Sequence, residues 1–342
     1  MKGWRLSIAG IPALKNKFKM KTNYNFTEGW FSGFSQSDGC FTIAFEKRKS
    51  GLLVRPKPIF VLTQDISELD MFKKLHLHVG IGYITKSKIN VSLYVTSLAD
   101  IKNVLFPIFD KHPLRYGKRR SYLIFKHVVN MMLNKEHLKL EGLLSIIHLS
   151  FWMNKETSTR TEESKTKLID FLRDKHGELP EYKETSITND LPIAPMSLDF
   201  ITGLIDGDGS FNVSFQLKPY RRVKINFTVV QETSCKEVLN ELKAYFGCGK
   251  VYDLPSSASR YQVENQDLIM NNIAPILNNV KFNTEKSEYY KATIKAGEIL
   301  KTEGIKSDES FKTIIDLVYD INKSGKRRRL TKQEFIEMMM KS

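Results

Sequence analysis

The sequence predicts an α+β protein in which one structural unit occurs twice along a single chain. Three observations predict it. A helical motif ending in Asp-Gly occurs twice, further matches follow at nearly the same offset, and apolar and polar residues alternate after each motif. The matched pairs lie 167–170 residues apart and are Asp38-Gly39 with Asp208-Gly209, Gln64 with Gln231, 79–82 with 246–249, 106–108 with 274–276, and Lys118 with Lys286. Their common order makes duplication the simplest explanation of the 342 residues.

The net charge favours a polyanionic partner. The chain carries 53 Lys and Arg against 38 Asp and Glu, a formal net charge of +15. Because so many like charges repel one another in a compact protein, such a chain usually binds a polyanion, and nucleic acid is a better candidate than a membrane surface. The longest apolar stretch, residues 143–153, is interrupted by polar residues and is too short to span a bilayer. No membrane partner is therefore expected.

The cysteines and the N-terminal segment carry weaker signals. Cys40, Cys235 and Cys248 are odd in number and no two are spaced as CxxC, so neither a disulfide framework nor a structural zinc site is expected. Residues 1–25 contain six basic residues and no acid. This segment has two open interpretations, an organellar presequence or a basic tail without fixed structure.

Each copy is expected to run helix, two strands, helix, two strands, helix. The first copy, residues 26–154, has a helix ending at Asp38, strands near 41–48 and 55–57, a helix over 66–78, strands over 82–85 and 91–96, and helices over 98–109 and 121–132. The second copy, residues 196–342, has a helix ending at Asp208, strands near 211–218 and 222–224, a helix over 235–246, strands over 249–252 and 260–264, and helices over 268–277 and 307–321. A basic run at 325–329 and a last helix from Thr331 complete the chain, and 155–195 is interpreted as a linker with a short helix over 167–173.

The first strand of each copy alternates between aromatic or aliphatic residues and polar ones. Phe41, Ile43 and Phe45 fall on one face in the first copy, and Phe211 and Val213 do so in the second. Because successive side chains of a strand point to opposite faces of a sheet, the apolar side is expected to pack inward and the polar side to face solvent.

Both Asp-Gly motifs resemble the signature helix of the LAGLIDADG homing endonucleases, in the single-chain form with two copies. The second motif, residues 203–209, is close to the family pattern, whereas in the first Ser35 replaces an aliphatic residue and Gln36 replaces the first acid. The resemblance covers roughly residues 25–300. It implies two pseudo-symmetric αββαββα repeats, each with an antiparallel saddle-shaped sheet, whose signature helices pair at the domain interface.

The resemblance also implies a set of site residues in each repeat. The catalytic acids match Asp38 and Asp208, the supporting lysines match Lys118 and Lys286, and the polar glutamines match Gln64 and Gln231. Two carboxylates at helix C-termini are repelled by each other and by the helix dipoles, which favours bound cations. Oxygen ligands suit Mg²⁺. Two or three divalent ions are expected at the domain interface, with Asp38, Asp208, Gly39 and Gly209 as ligands and with Mn²⁺ or Ca²⁺ able to substitute in binding.

The polar faces of the sheets are expected to form a basic saddle on double-stranded DNA, since a β-ribbon fits the major groove and Arg, Gln and Asn recognise base edges there. The predicted DNA-binding residues are Thr42, Glu46, Arg48, Arg55, Lys57, Asn212, Ser214, Gln216, Lys218, Arg222, Lys224, Asn226 and Thr228. Lysines elsewhere are expected to contact phosphates and to set the register.

The function expected from the resemblance is that of a monomeric homing endonuclease. It would make a Mg²⁺-dependent double-strand break in a long asymmetric DNA site. Its source would be organellar, a fungal or algal mitochondrion or a chloroplast. The alternatives are an RNA maturase that assists splicing of its host intron and a DNA-binding module without catalysis. A purely structural interpretation also exists for the motif, because glycine often ends a helix in the left-handed conformation. The recurring Gln and Lys favour catalysis.

Overall fold

The structure is a computed structural model, and it describes residues 24–153, 161–182, 187, 194–216, 220–304, 307–319 and 330–340. Lys218, the basic run at 325–329, and all but the last two residues of the segment 1–25 lie outside this range, as do residues 155–160, 183–186 and 188–193 of the predicted linker. None of the described helices is long and apolar enough to cross a membrane.

The two repeats have the same order of elements. The first contains α1 (Glu28–Asp38), β1 (Gly39–Lys47), β2 (Val54–Asp65), α2 (Leu69–Val79), β3 (Tyr83–Lys86), β4 (Asn90–Val95), α3 (Leu98–Asp100), α4 (Phe106–Lys111), α5 (Tyr116–Leu133) and α6 (Leu140–Trp152). After α7 (Glu162–His176), the second contains α8 (Leu198–Asp208), β5 (Gly209–Gln216), β6 (Arg222–Glu232), α9 (Lys236–Phe246), β7 (Lys250–Leu254), β8 (Ala258–Val263), α10 (Gln266–Leu268), α11 (Ala274–Leu277), α12 (Lys286–Thr302), α13 (Asp308–Tyr319) and α14 (Lys332–Met340). The predicted αββαββα order is confirmed.

The two antiparallel sheets also match in topology. Their strands are ordered β1-β2-β4-β3 and β5-β6-β8-β7. A π turn joins α3 to α4 at Ile101–Leu105, and another joins α10 to α11 at Ile269–Ile273. Each turn is followed by a proline, Pro107 or Pro275, which lacks the N–H that an α-helix requires there. The duplication thus extends to a local irregularity of the backbone.

The signature helices α1 and α8 pack backbone to backbone along the boundary between the repeats. A Cβ on Gly33 would lie 1.9 Å from the carbonyl oxygen of Phe200, and a Cβ on Gly203 would lie 2.1 Å from that of Trp30. Both distances are far below a van der Waals contact, so only glycine fits at either position. Glycine therefore sets the distance between the two repeats.

The glycine that ends each signature helix is needed for space and not for a left-handed turn. Gly39 and Gly209 have φ of −79° and −75°, which is extended backbone open to any residue. A Cβ on Gly39 would lie 2.4 Å from the carbonyl oxygen of Ser35, and one on Gly209 would lie 2.6 Å from Cγ2 of Ile205. The left-handed helix stop is therefore wrong for this motif, and the chain passes from helix into strand without a loop.

Aromatic side chains fill the inner face of each sheet, as the alternation predicts. In the first repeat the buried ring of Phe41 contacts Phe60 and Phe109, with centroids 5.0 and 5.5 Å apart. In the second repeat the buried ring of Phe211 stacks on Phe227 at 4.8 Å. The opposite face of both sheets is left for polar residues.

Additional helices brace the outer end of each first hairpin. In the first repeat Val54 and Phe45 pack with Leu144 of α6 and Leu172 of α7. The helix in the predicted linker is longer than the expected 167–173, because Thr161 and Ser164 form a capping box that starts it at Glu162.

In the second repeat the corresponding support comes from the C-terminal helices. The ring of Phe215 lies 5.7 Å from Phe311 of α13 and 5.7 Å from Phe335 of α14. Both hairpins are therefore held by packing along their length, although different parts of the chain supply the braces.

Replacement of Gly203 by alanine tests the helix contact. The added methyl group would meet a backbone carbonyl that cannot rotate away, so we expect the free energy of unfolding to fall by about 3 kcal/mol. Gly80→Ala is the control, because Gly80 has φ +71° and open space around it, and its substitution should cost about 1 kcal/mol. Urea denaturation measures both, and equal losses would contradict the close packing.

Candidate active site

The two motif acids come together at the end of the helix pair. Asp38 is the last residue of α1 and Asp208 is the last residue of α8, and a strand begins directly after each. A Cβ on Gly207 would lie 2.2 Å from Cβ of Ser37 and 2.9 Å from Oδ2 of Asp38. The carboxylate of one repeat therefore lies against the backbone that carries the carboxylate of the other.

The structure brings each predicted glutamine to the acid of its own repeat. Nε2 of Gln64, near the end of β2, donates to Oδ2 of Asp38 at 2.8 Å. Nε2 of Gln231, near the end of β6, donates to Oδ2 of Asp208 at 2.5 Å. One oxygen of each carboxylate is thus held by an amide on the neighbouring strand.

The predicted lysines also reach the site, but they donate to backbone carbonyls and not, like the glutamines, to the carboxylates. Nζ of Lys118 donates to the carbonyl oxygen of Gly39 at 2.6 Å. Nζ of Lys286 donates to the carbonyl oxygens of Ile205, at 3.0 Å, and Gly207. These carbonyls belong to the last turn of α8, where the helix dipole favours a positive charge. Lys286 therefore offsets both the dipole and the acid at the same helix end.

Burial makes every charge in this site costly. It raises the pKa of Asp38 to about 7, with repulsion by Asp208 as the next cause, while the hydrogen bond from Gln64 acts in the opposite direction. Burial likewise raises the pKa of Asp208, against the attraction of Lys286 and Lys118. Burial lowers the pKa of Lys286, which both acids oppose. The acids would ionise more readily if a further positive charge lay between them.

The donor set fits a hard divalent cation that keeps part of its water shell. Within the described residues no three His, Cys, Asp or Glu side chains are grouped to hold a metal ion, so Asp38 and Asp208 would supply two carboxylates and other oxygens would complete the shell. Mg²⁺ prefers oxygen ligands and is often bound in this way. Gly39 and Gly209 directly follow the acids, and their part as backbone ligands stays a prediction.

The first acidic position of the motif is not part of the metal site. Asp206 is buried, and its carboxylate accepts hydrogen bonds from Nε1 of Trp30 at 2.7 Å, from the backbone N–H of Asn283 at 2.8 Å and from Oγ1 of Thr284 at 2.6 Å. It ties α8 to the first repeat and to the segment before α12. Gln36 occupies the same position in α1; its amide accepts from the backbone N–H of Arg115 and donates to Gln231, and it does not contact either motif acid directly.

The predicted DNA-binding residues lie mostly on the outward faces of the two long hairpins. The cross-strand pairs are Glu46 with Arg55, Asn212 with Asn226, Ser214 with Lys224 and Gln216 with Arg222. Those at least partly exposed are Thr42, Glu46, Arg48, Arg55, Lys57, Asn212, Ser214, Gln216, Arg222, Lys224 and Asn226. Lys218 lies outside the described residues. The expectation that Thr228 is exposed is wrong, because it lies on a central strand between Ser210 and Gln262 and is buried.

The outward face continues onto strands that the sequence analysis did not include. By strand register, Tyr83, Thr85 and Tyr94 extend it in the first repeat, and Tyr252, Arg260 and Gln262 extend it in the second. Cys40 is exposed on this face too. The period-two alternation that identified the first hairpins applies to β3, β4, β7 and β8, and could have identified these residues.

Comparison with known proteins agrees with this geometry. The sequence profile of the LAGLIDADG endonucleases matches residues 31–129 and 201–296, which together make up more than half of the chain. This protein belongs to the LAGLIDADG endonuclease family. Each matched segment begins inside a signature helix and ends inside α5 or α12, so the two together include both acids, both glutamines and both lysines.

Several individual relatives show how far this LAGLIDADG protein resembles known members. The probable intron-encoded DNA endonuclease 1 of Mycosarcoma maydis is 41% identical over 275 residues, which cover 79% of this chain and 99% of the relative. The I-SmaMI LAGLIDADG homing endonuclease bound to cleaved DNA aligns with a TM-score of 0.75 and 25% identity, over 88% of this chain and 98% of its own. I-SmaMI bound to an uncleaved DNA target in the presence of calcium ions aligns with a TM-score of 0.73 and 24% identity, over 87% of this chain and 99% of its own.

The raised pKa of Asp38 predicts how stability changes with pH when divalent metal is absent. Since the folded protein holds this proton up to about pH 7 and an unfolded aspartic acid loses it near pH 4, stability should fall as pH rises between these values. We expect Asp38→Asn to match the wild type at pH 5 and to exceed its free energy of unfolding at pH 8 by about 2 kcal/mol.

Urea denaturation in a chelator measures this difference. Addition of a divalent cation at pH 8 should stabilise the wild type by mass action and Asp38→Asn much less. Equal pH profiles for the two proteins would show that Asp38 is not a buried, charge-repelled acid.

Proposed function

We propose that this LAGLIDADG protein is a site-specific homing endonuclease that hydrolyses both strands of double-stranded DNA with Mg²⁺ as cofactor. One observation carries the proposal: the two motif acids lie together at the end of the helix pair, and each is hydrogen-bonded to the glutamine of its own repeat. A lysine of each repeat binds a backbone carbonyl next to its acid. The duplication supplies one such set for each DNA strand. A single chain is sufficient, so the active form is a monomer.

The chain's own residues prepare the acids for a metal-bound phosphodiester. Gln64 and Gln231 fix the orientation of the carboxylates through one oxygen of each. Lys118 and Lys286 bring positive charge to the ends of the helices, where a DNA phosphate would approach. When bound, a divalent cation supplies a water of lowered pKa and stabilises the leaving oxygen. A calcium-containing complex of I-SmaMI supports the use of divalent cations here, and Mg²⁺ is the ion we assign.

The two outward sheet faces supply sequence readout. They differ in chemistry: Glu46 of the first hairpin pairs with Arg48 at 2.7 Å and with Lys57 at 3.3 Å, whereas the second carries Asn212 opposite Asn226. Because the faces of the two repeats differ, the DNA target should be long and asymmetric. The solved DNA complexes of I-SmaMI support double-stranded DNA as the partner.

The source of the gene is proposed from the relatives. The Mycosarcoma maydis relative is described as intron-encoded, which supports an intron-encoded protein of an organelle, and we assign the mitochondrion. The basic segment 1–25 is compatible with either of its two interpretations. No described contact favours intron RNA as a partner, and the maturase role stays a prediction.

Replacement of the acids tests catalysis separately from binding. We expect Asp38→Asn and Asp208→Asn each to retain DNA affinity, because neither carboxylate lies on the outward sheet face. Double-strand cleavage should fall by a factor of about 100 or more, leaving nicked DNA at most. Supercoiled and linear substrates in Mg²⁺ measure this, and double-strand cleavage at the wild-type rate in both variants would exclude the proposed function.

Replacement of Arg222 tests the sheet face. If Arg222 contacts a base edge, Arg222→Ala should weaken binding by about 1–3 kcal/mol and relax the preference at one or two base pairs of a single half-site. Lys301→Ala is the control, since Lys301 is exposed on α12, a helix that packs against the inner face of the second sheet through Tyr290. The measurement is the affinity of each variant, in the Asp38→Asn/Asp208→Asn background, for duplexes that carry single base-pair substitutions. Identical base preferences for Arg222→Ala and Lys301→Ala would contradict readout by β6.

A further inference from the structure

We propose that Gln36, at the position where the motif usually has its first acid, is a positioning residue for Gln231 of the other repeat. This inference rests on the proposed nuclease function. It makes one half of the active site depend on a side chain from the opposite repeat, whereas the other half is oriented locally.

The argument starts from a directed chain of hydrogen bonds. The backbone N–H of Arg115 donates to Oε1 of Gln36 at 2.8 Å, Nε2 of Gln36 donates to Oε1 of Gln231 at 3.4 Å, and Nε2 of Gln231 donates to Oδ2 of Asp208 at 2.5 Å. A backbone N–H can only donate, and the carboxylate of Asp208, which has to be ionised to hold a cation, can only accept. Both ends of the chain therefore fix the same orientation for the two amides between them.

The surroundings of these hydrogen bonds make the orientation of the two amides important. Gln36 is 1% exposed and Gln231 is 6% exposed, so water cannot readily replace a lost partner. Apart from Gln231, Nε2 of Gln36 has the sulfur of Cys235 at 3.6 Å, a weak acceptor. If Gln36 did not donate, Gln231 could rotate its amide and present an oxygen to Asp208, which would repel the carboxylate. The amide of Gln36 thus determines that Gln231 turns its N–H, and not its oxygen, toward Asp208.

The first repeat achieves the same result without help from the second. Oε1 of Gln64 accepts from the backbone N–H of Asp65 at 3.1 Å, and its Nε2 faces Asp38. The counterpart of Gln36 in the second repeat is Asp206, whose carboxylate lacks the N–H donors of an amide and accepts from Trp30, Asn283 and Thr284. The exchange of an acid for an amide at position 36 is therefore what permits the contact between the repeats.

Strand-specific cleavage tests the proposal. Gln36→Met fills a similar volume but cannot donate, and we expect it to slow cleavage of one DNA strand by 10–100-fold, as is usual for residues that orient metal ligands, while the other strand is cut at the wild-type rate. Gln231→Met should slow the same strand and Gln64→Met the opposite one. Ser35→Ala is the matched control, because Ser35 is the adjacent buried residue of α1 and its Oγ has no partner among the described residues.

A double-mutant cycle separates positioning from a general structural effect. If Gln36 acts through Gln231, adding Gln36→Met to Gln231→Met should change the strand ratio no further, whereas independent effects would multiply. If Gln36→Met does not fold, Gln36→Asp takes its place. Aspartate is the residue at the equivalent position 206, where it accepts from a backbone N–H. Its side chain is shorter than that of glutamine and would not reach Gln231. Gln36→Asp should show the same strand bias.

The outcomes are distinct from those that test the nuclease function. Active variants at position 36 that cut both strands in the wild-type ratio would overturn this inference and leave the proposed function intact. Multiplicative effects in the double variant would also overturn it. A wild-type protein that cuts no DNA in Mg²⁺ would overturn both.

Discussion

The close contact between α1 and α8 is the constraint on which the rest of the structure depends. Gly33 and Gly203 bring a backbone carbonyl of each helix to within a distance that no side chain tolerates. Because both helices end in an acid and continue directly into a strand, the same contact fixes three things together. These are the separation of Asp38 and Asp208, the start of β1 and β5, and the angle between the two sheets. A shift of either helix would move its acid and the strand that follows it as one unit.

The charges at the helix ends follow from this constraint. The acids lie where the helix dipoles and their mutual repulsion are both unfavourable. The structure offsets this in part with Lys286 on the last carbonyls of α8 and with Lys118 on the carbonyl of Gly39. The remaining cost appears as the raised pKa of Asp38 and Asp208. A site that is strained in this way without a cation is suited to bind one.

The sequence predicted the duplication and the element order, because these leave repeated residues at a nearly constant offset. The resemblance to the LAGLIDADG family predicted the grouping of acids, glutamines and lysines. It did not predict contacts that depend on which atoms meet across the helix pair. The role of Asp206 as an anchor for Trp30 and the reach of Gln36 to Gln231 follow from side-chain geometry alone. The extended conformation of Gly39 was also missed, because an Asp-Gly pair is more often a left-handed stop.

The differences between the repeats are as informative as their likeness. In a symmetric dimer any residue at position 36 would also occur at position 206, so an amide that suits one side would be forced on the other. Asp206 uses its carboxylate to accept three kinds of donor, and an amide there would place a hydrogen against at least one of them. Fusion of the copies removes this conflict. It lets one position hold the acid that anchors the interface while the other holds the donor that orients Gln231.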